Sequence, residues 1–157
     1  MPLGEAYLEL IAVVDEQRAA ASAFGSWVAR SRPGAPMGWA ARARMADVTG
    51  RLGLEPTKGA RRRQDGRLLE WQLAGVEQAR AEPSLPFFIE WSGDELPGHA
   101  HASHGRSRIA ELDLSGDADR VHEWLGPHDI PLVVEPGPPA VMAVVLELPD
   151  GSRFSVP

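Results

Sequence analysis

The sequence contains no cysteine. Disulfide bridges, thiolate metal sites and a cysteine nucleophile are therefore excluded, and the chain fits a reducing compartment. It also has no apolar run approaching the ~18 residues of a membrane-spanning helix. Acidic residues at positions 5, 9 and 15 interrupt any signal-peptide pattern. We therefore expect a cytoplasmic protein that does not bind membranes.

Excess positive charge is also missing, because the 157 residues carry a formal net charge of -6. This balance argues against a nucleic-acid partner. The one basic stretch, GARRRQDGR at 59–67, is interpreted as a solvated hairpin. No Ser-His-Asp signature, phosphate-binding glycine loop or dinucleotide fingerprint occurs. The length is enough for one domain with a sizeable core.

The first patterned segment is the apolar run Tyr7 to Val14, which predicts a strand with Glu9 in its middle. Residues 15–31 follow with acidic residues first, alanines next, and Phe24 and Trp27 at helical spacing. This pattern predicts an amphipathic helix that ends before Pro33.

The remaining segments repeat one order twice: a strand, a helix and three strands, over residues 37–93 and again over 106–157. The first unit begins with the strand Met37 to Met45, and the dipeptide Asp65-Gly66 predicts a hairpin turn. The second unit contains a helix with Asp117 or Asp119 as its N-cap. We predict an α+β fold of tandem βαβββ modules that form a cupped mixed sheet, preceded by an orphan strand and helix.

Three segments, GEAYLELIAVV, MGWAARARMADV and LPFFIEWSGDELPGHA, resemble the glyoxalase-like domains of bacteria. These domains belong to the vicinal-oxygen-chelate superfamily, with glyoxalase I, bleomycin-resistance proteins and extradiol dioxygenases. The resemblance implies one glyoxalase-like domain over 1–157, with 4–31 as the remnant of a first module and complete modules at 37–93 and 106–157. The closing strand of the incomplete module would leave its edges unpaired, which predicts a homodimer.

The resemblance also implies a site. The superfamily's cup binds a divalent metal ion through His or Gln on first strands and Glu on last strands, and Glu9 and Glu90 stand at the Glu positions. Alternation puts Glu90 on one strand face, which we expect to line the cup, and Trp91 on the other, which we expect to pack under the helices. The first-strand positions fall near Ala40 and Ala110, whose side chains cannot bind metal.

Histidines are the remaining source of metal ligands. His99 and His101 lie with His104 in the loop after the Glu90 strand, and His-x-His spacing chelates a metal when the backbone is extended. The alternative is a solvated loop whose histidines titrate freely. His122 and His128 are interpreted as ordinary surface residues.

A second set of candidates binds a ligand without metal. Arg42 and Arg44 are predicted to share a face, where they would bind an acidic ligand or pair with carboxylates such as Glu70. The alternative is a surface salt bridge. Trp39 is predicted to line the pocket, and the other tryptophans are interpreted as core residues. The candidate pocket residues are therefore Glu9, Trp39, Arg42, Arg44, Glu70 and Glu90.

Three functions remain open at this point. The first is a small-molecule-binding protein of the glyoxalase-like type that acts as a metal-assisted lyase, isomerase or oxygenase through Glu9 and Glu90. The second is a non-catalytic binder that sequesters its ligand, as bleomycin-resistance proteins do. The third is a dimerisation module. The alanines at positions 40 and 110 favour the second and third functions over metal catalysis.

Overall fold

The protein forms ten strands and five helices within residues 2–3, 6–63, 65–93 and 107–157, the parts of the chain that the computed structural model describes. The helices are α1 (Glu16–Ala20), α2 (Ala23–Arg30), α3 (Met45–Leu52), α4 (Val76–Ala81) and α5 (Ala118–Leu125). The strands are β1 (Pro2–Leu3), β2 (Ala6–Tyr7), β3 (Ala40–Arg42), β4 (Thr57–Arg62), β5 (Leu68–Ala74), β6 (Phe87–Trp91), β7 (Arg108–Ser115), β8 (Leu132–Glu135), β9 (Ala140–Glu147) and β10 (Arg153–Val156). In these ranges no helix has the length and apolar character needed to cross a bilayer. The predicted α+β class is confirmed.

The N-terminal segment differs from its prediction. The strand expected from Tyr7 to Val14 is wrong: β2 ends at Tyr7 and pairs only with β1, and residues 8–15 are neither helix nor strand. Apolar, β-branched composition favours a strand, but a strand forms only where a neighbour binds its backbone N–H and C=O groups. Among the described residues, no strand pairs with residues 9–14.

The helix expected over 15–31 is interrupted. Ser22 accepts a hydrogen bond from the Gly25 backbone N–H (3.0 Å) and begins α2, as Asp15 accepts one from Arg18 and begins α1. Serine competes for backbone donors, and it caps a helix better than it continues one. The single predicted helix therefore becomes two, α1 and α2.

The first four-stranded sheet has the order β3-β6-β5-β4. β3 runs parallel to β6, and the other pairs are antiparallel. The predicted turn at Asp65-Gly66 is confirmed between β4 and β5, and Gly66 has the positive φ (83°) that favours glycine. The strand predicted over Met37 to Met45 is shorter, as β3, and α4 is a helix that the sequence pattern did not indicate.

The second four-stranded sheet has the order β10-β9-β7-β8. Its first strand, β7, lies inside the sheet, parallel to β8 and antiparallel to β9, whereas β3 lies at an edge beside β6. The second unit has the predicted βαβββ chain order, whereas the first does not, because α4 lies between β5 and β6 and makes its order βαββαβ. The strand orders of the two sheets differ as well. Of the two candidate N-caps of α5, Asp117 is the one used, because its carboxylate accepts from the Arg120 N–H (3.1 Å).

One hydrophobic core joins the two sheets. Phe88 of β6 lies 6.1 Å from Trp124 of α5 (ring centroids), and the Trp124 indole donates to the Pro86 carbonyl (2.9 Å). The Arg51 guanidinium of α3 donates to the carbonyls of Glu123 (2.8 Å) and Leu125 (3.2 Å) at the end of α5. Helix α5 of the second unit is therefore fixed against the first unit.

Candidate functional site

The two faces of the first sheet pack against different helices: α3 covers one, and α2 covers part of the other, where Phe87 lies 6.0 Å from Phe24 and 6.3 Å from Trp27 (ring centroids). Phe88 of β6 is registered with Ala41 and Ala74, and all three are buried in the core with Met45 and Val48 of α3. We call this the helix face. The opposite face, here the aromatic face, carries Phe87, Ile89 and Trp91 of β6 and Leu69, Trp71 and Leu73 of β5, with Arg42 of β3 and Arg61 of β4 toward its edges.

Glu90 lies on the helix face and has a structural partner there. Its Oε2 accepts a hydrogen bond from the Met45 backbone N–H at 2.7 Å. Met45 is the first residue of α3, and the N-cap residue Arg44 provides no side-chain cap. A carboxylate at this position satisfies an unpaired N–H and interacts favourably with the helix dipole. The predicted orientation is thus reversed, because Glu90 points to the side of α3 and Trp91 to the aromatic face.

Trp39 is held by the backbone rather than lining the aromatic face. Its indole N–H donates to the Ser84 carbonyl (3.0 Å), and the side chain is half-buried against the core. It precedes β3 by one residue, so alternation places it with Ala41 on the helix face. Its contacts are those of a core residue.

The predicted pairing of Arg42 or Arg44 with Glu70 does not form. Arg42 lies on the aromatic face, and the exposed Glu70 lies on the helix face, opposite Ala60 of β4. Arg44 follows the end of β3 and pairs with Asp47 at 3.6 Å, both exposed. That contact is the surface salt bridge of the alternative interpretation, worth about 0–1 kcal/mol.

Glu9 belongs to a small polar cluster at the N-terminal segment. Burial raises the pKa of Tyr7 above its usual value of 10.0, the negative charge of Glu9 raises it further, and the positive charge of Arg61 lowers it. Glu9 itself is exposed, in a segment without regular structure. The three groups therefore interact at the Arg61 end of the aromatic face.

The centre of the aromatic face is the pair Trp71 and Trp91. Their ring centroids are 5.2 Å apart and their planes are inclined by 56°, and both side chains are half-buried. Gly59 leaves room for the Trp71 indole, because a Cβ at that position would overlap it. Ile89 and Leu69 are 8% and 7% exposed beside the pair. Indole faces and aliphatic side chains bind flat, apolar molecules.

Two cations flank this apolar surface. Arg42 is registered with Ile89, and Arg61 with Leu69, and both side chains are exposed. Neither forms an ion pair with any other described residue. Sequence reasoning missed Trp71, Trp91 and Arg61 as site candidates. The alternation in LEWQL and FIEWS does put both tryptophans on one face, but it equally suits a buried core.

The metal site of the superfamily does not fit the residues that the structure describes. Glu90 is bonded to the start of α3, and Ala40 and Ala110 offer no donor atom. Within the described ranges no three His, Asp or Glu side chains come together as metal ligands. His99 and His101 lie outside the described residues. The described residues of the first sheet therefore do not supply the metal ligands of the superfamily.

Comparison with known proteins identifies the family. The model of the glyoxalase-like domain matches residues 1–128, and the chain therefore belongs to the glyoxalase-like domain family. The match covers the first sheet, β7 and α5, whereas β8, β9 and β10 lie beyond it. No curated protein and no solved structure matches the chain.

The Glu90 cap predicts a specific loss of stability. Glu90→Ala removes the acceptor of the Met45 N–H, and we expect the free energy of unfolding to fall by about 1–2 kcal/mol. Glu90→Gln keeps an acceptor oxygen but loses the charge, so it should cost less. Urea denaturation measures both. Glu70→Ala, on the same face but exposed, is the control and should change stability by less than about 0.5 kcal/mol. Equal stability of the Glu90→Ala and Glu70→Ala variants would contradict the assignment.

The polar cluster predicts the titration of Tyr7, which is the only tyrosine in the chain. Its phenol should titrate above pH 10.0 in the folded protein, as followed by ultraviolet absorbance. Glu9→Gln should lower this pKa and Arg61→Gln should raise it. Because the folded state holds the proton more tightly, the stabilisation is complete below pH 10 and is lost as the pH rises through the folded pKa. Titration at the ordinary value, unchanged in Glu9→Gln, would rule out the cluster.

Proposed function

We propose that the protein is a small-molecule-binding member of its family that binds a flat, apolar, anionic ligand on the aromatic face, without a metal ion. One observation carries this proposal: the half-buried pair Trp71 and Trp91 lies between two exposed arginines that have no carboxylate partner among the described residues. Such a surface binds and orients a ligand, since indoles, aliphatic groups and guanidinium ions do not transfer protons at neutral pH.

The apolar part of the ligand would contact the two indoles. The two indoles contact each other, with centroids 5.2 Å apart, so a flat ring would lie against the solvent-accessible part of the pair and not between the rings. Each such aromatic contact contributes about 0.5–1.5 kcal/mol beyond the area that it buries. Gly59 fixes the position of the Trp71 indole, because a Cβ at position 59 would overlap that ring.

Arg42 is the cation that we assign to the anionic group. Arg61 already interacts with Tyr7, whose pKa its positive charge lowers. Arg42 has no such neighbour in the described ranges, and it stands beside Ile89, one row from Trp91. A guanidinium binds a carboxylate or phosphate through two parallel N–H bonds, which lysine does not reproduce.

The binding test uses the five indole N–H signals of the chain in ¹⁵N NMR spectra. Titration with a set of aromatic carboxylates should shift the signals of Trp71 and Trp91. The indoles of Trp39 and Trp124 donate to backbone carbonyls in the core and are internal controls. Arg42→Gln should weaken carboxylate binding roughly tenfold or more, and leave binding of the matched primary amides unchanged.

The control variant for this experiment is Arg44→Gln, which removes a neighbouring arginine that pairs with Asp47. It should bind the carboxylates like the parent chain. Shifts confined to Trp39 and Trp124, or equal weakening in the two arginine variants, would overturn the proposed ligand site.

A second property, homodimer formation, has support from the N-terminal segment. Val14 is 98% exposed, Leu10 is fully exposed, and Ile11 is 41% exposed. They belong to residues 9–14, which pair with no described strand, and Ile11 and Val14 border an apolar groove of about 330 Å³ against α1 and α2. We propose that a second copy of the chain covers this segment, because burying these exposed apolar side chains against an identical surface is favourable.

Sedimentation velocity tests the dimer. Leu10→Lys together with Val14→Lys places two charges in the proposed interface, and we expect the dimer dissociation constant to rise at least tenfold. Leu68→Lys, at a residue that is 52% exposed on the β4–β5 hairpin, is the control and should leave association unchanged. A parent chain that stays monomeric at high concentration would contradict the proposal.

A further inference from the structure

Two histidines outside the aromatic face form a pair on α5. His122 lies in the last turn of α5 and His128 in the loop that follows. The Nδ1 of His122 and the Nε2 of His128 are 3.1 Å apart, and the ring planes differ by only 4°. Because the ring centroids are 5.3 Å apart, the rings meet nitrogen edge to nitrogen edge rather than face over face. This is the geometry of an N–H···N hydrogen bond in which either ring can be the donor.

This spacing matches that of two imidazoles bound to one metal ion. Metal–nitrogen bonds of about 2.0–2.1 Å place two ligand nitrogens roughly 2.9–3.4 Å apart, for angles between a right angle and the tetrahedral angle. The observed 3.1 Å lies in this range. The two nitrogens face each other in this hydrogen bond, and because both side chains are exposed, rotation about their χ angles can turn the two lone pairs toward a common point.

The backbone beneath the pair is fixed. The Gly126 N–H donates to the His122 carbonyl (2.9 Å), and the buried Trp124 and Leu125 hold this turn of α5 in the core. Neither histidine has a carboxylate partner in the part of the chain that the structure describes. The C-terminal end of a helix also favours a cation. The two imidazoles are therefore held near each other, and no carboxylate of the described residues competes for them.

We propose that His122 Nδ1 and His128 Nε2 form a binding site for a borderline divalent metal ion, such as Ni²⁺ or Zn²⁺. Imidazole nitrogen is a preferred ligand of these ions. On binding, the proton of the N–H···N hydrogen bond moves to the outer nitrogen of its own ring, so that both facing nitrogens present a lone pair and no net proton is lost from a neutral pair. No third described His, Asp or Glu completes the site, so water or a small chelating molecule fills the other positions.

This site lies on a helix of the second unit and does not depend on the ligand proposed for the aromatic face. Its residues are also distinct from Glu9 and Glu90. The chain contains five histidines, and the other three are His99, His101 and His104. Replacing those three leaves His122 and His128 as the only histidines, which gives a matched pair of variants.

The test is Ni²⁺ and Zn²⁺ titration of the tag-free full chain, freed of metal by chelator, using calorimetry and competition with a chromogenic chelator. The variant with His99, His101 and His104 all changed to Gln should still bind one equivalent. His122→Gln and His128→Gln should each weaken that binding at least tenfold. Paramagnetic Ni²⁺ should broaden the amide signals around 122–129 in the parent chain. Circular dichroism checks that each variant is folded.

Two results would overturn the site. One is loss of binding in the variant of His99, His101 and His104 with full binding in His122→Gln, which would assign the metal to those three histidines. The other is the absence of saturable binding in the parent chain, with no local broadening by Ni²⁺. Broadening centred on 122–129 supports the site even if one of the Gln variants fails to fold.

Discussion

The hydrogen bond from the Met45 N–H to the Glu90 carboxylate decides which face of the first sheet meets α3. With the carboxylate at the start of the helix, Phe88 two residues earlier enters the core, and Trp91 must point the other way. Register then places Trp71 beside Trp91. A buried helix N-terminus needs an acceptor for its free N–H groups, and here a strand residue supplies it.

This one contact also changes the functional interpretation. Glu90, which stands at the position of a superfamily metal ligand, accepts the hydrogen bond at the start of α3. The expected ligand positions on the first strands are Ala40 and Ala110. The fold is kept while the described residues lack the metal-binding set, as expected of a fold that hosts unrelated chemistries. What the first sheet carries instead is an aromatic face with Arg42 and Arg61 toward its edges.

Much of the fold was accessible from the sequence, because its signals are local. Alternating apolar residues predicted most of the strands, Asp65-Gly66 predicted the turn between β4 and β5, and Asp117 was one of two predicted N-caps of α5. The alternation also predicted that Glu90 and Trp91 lie on opposite faces of the strand. An alternating pattern does not determine which of those faces packs against α3. The segment 9–14 has strand composition without a described strand to pair with, and pairing is a property of the whole fold. The contact between His122 and His128 depends on the path of the loop that follows α5, and the spacing of residues in the sequence does not predict that path.

The orientation of the first sheet is tested most directly by comparing the NMR spectra of the parent chain and the Glu90→Gln variant. The account predicts that the largest amide shift falls on Met45, with smaller shifts along the first turn of α3, because loss of the charge weakens that hydrogen bond. The indole signals of Trp71 and Trp91 should stay in place. Large indole shifts with an unchanged Met45 amide would put Glu90 on the aromatic face and contradict the account.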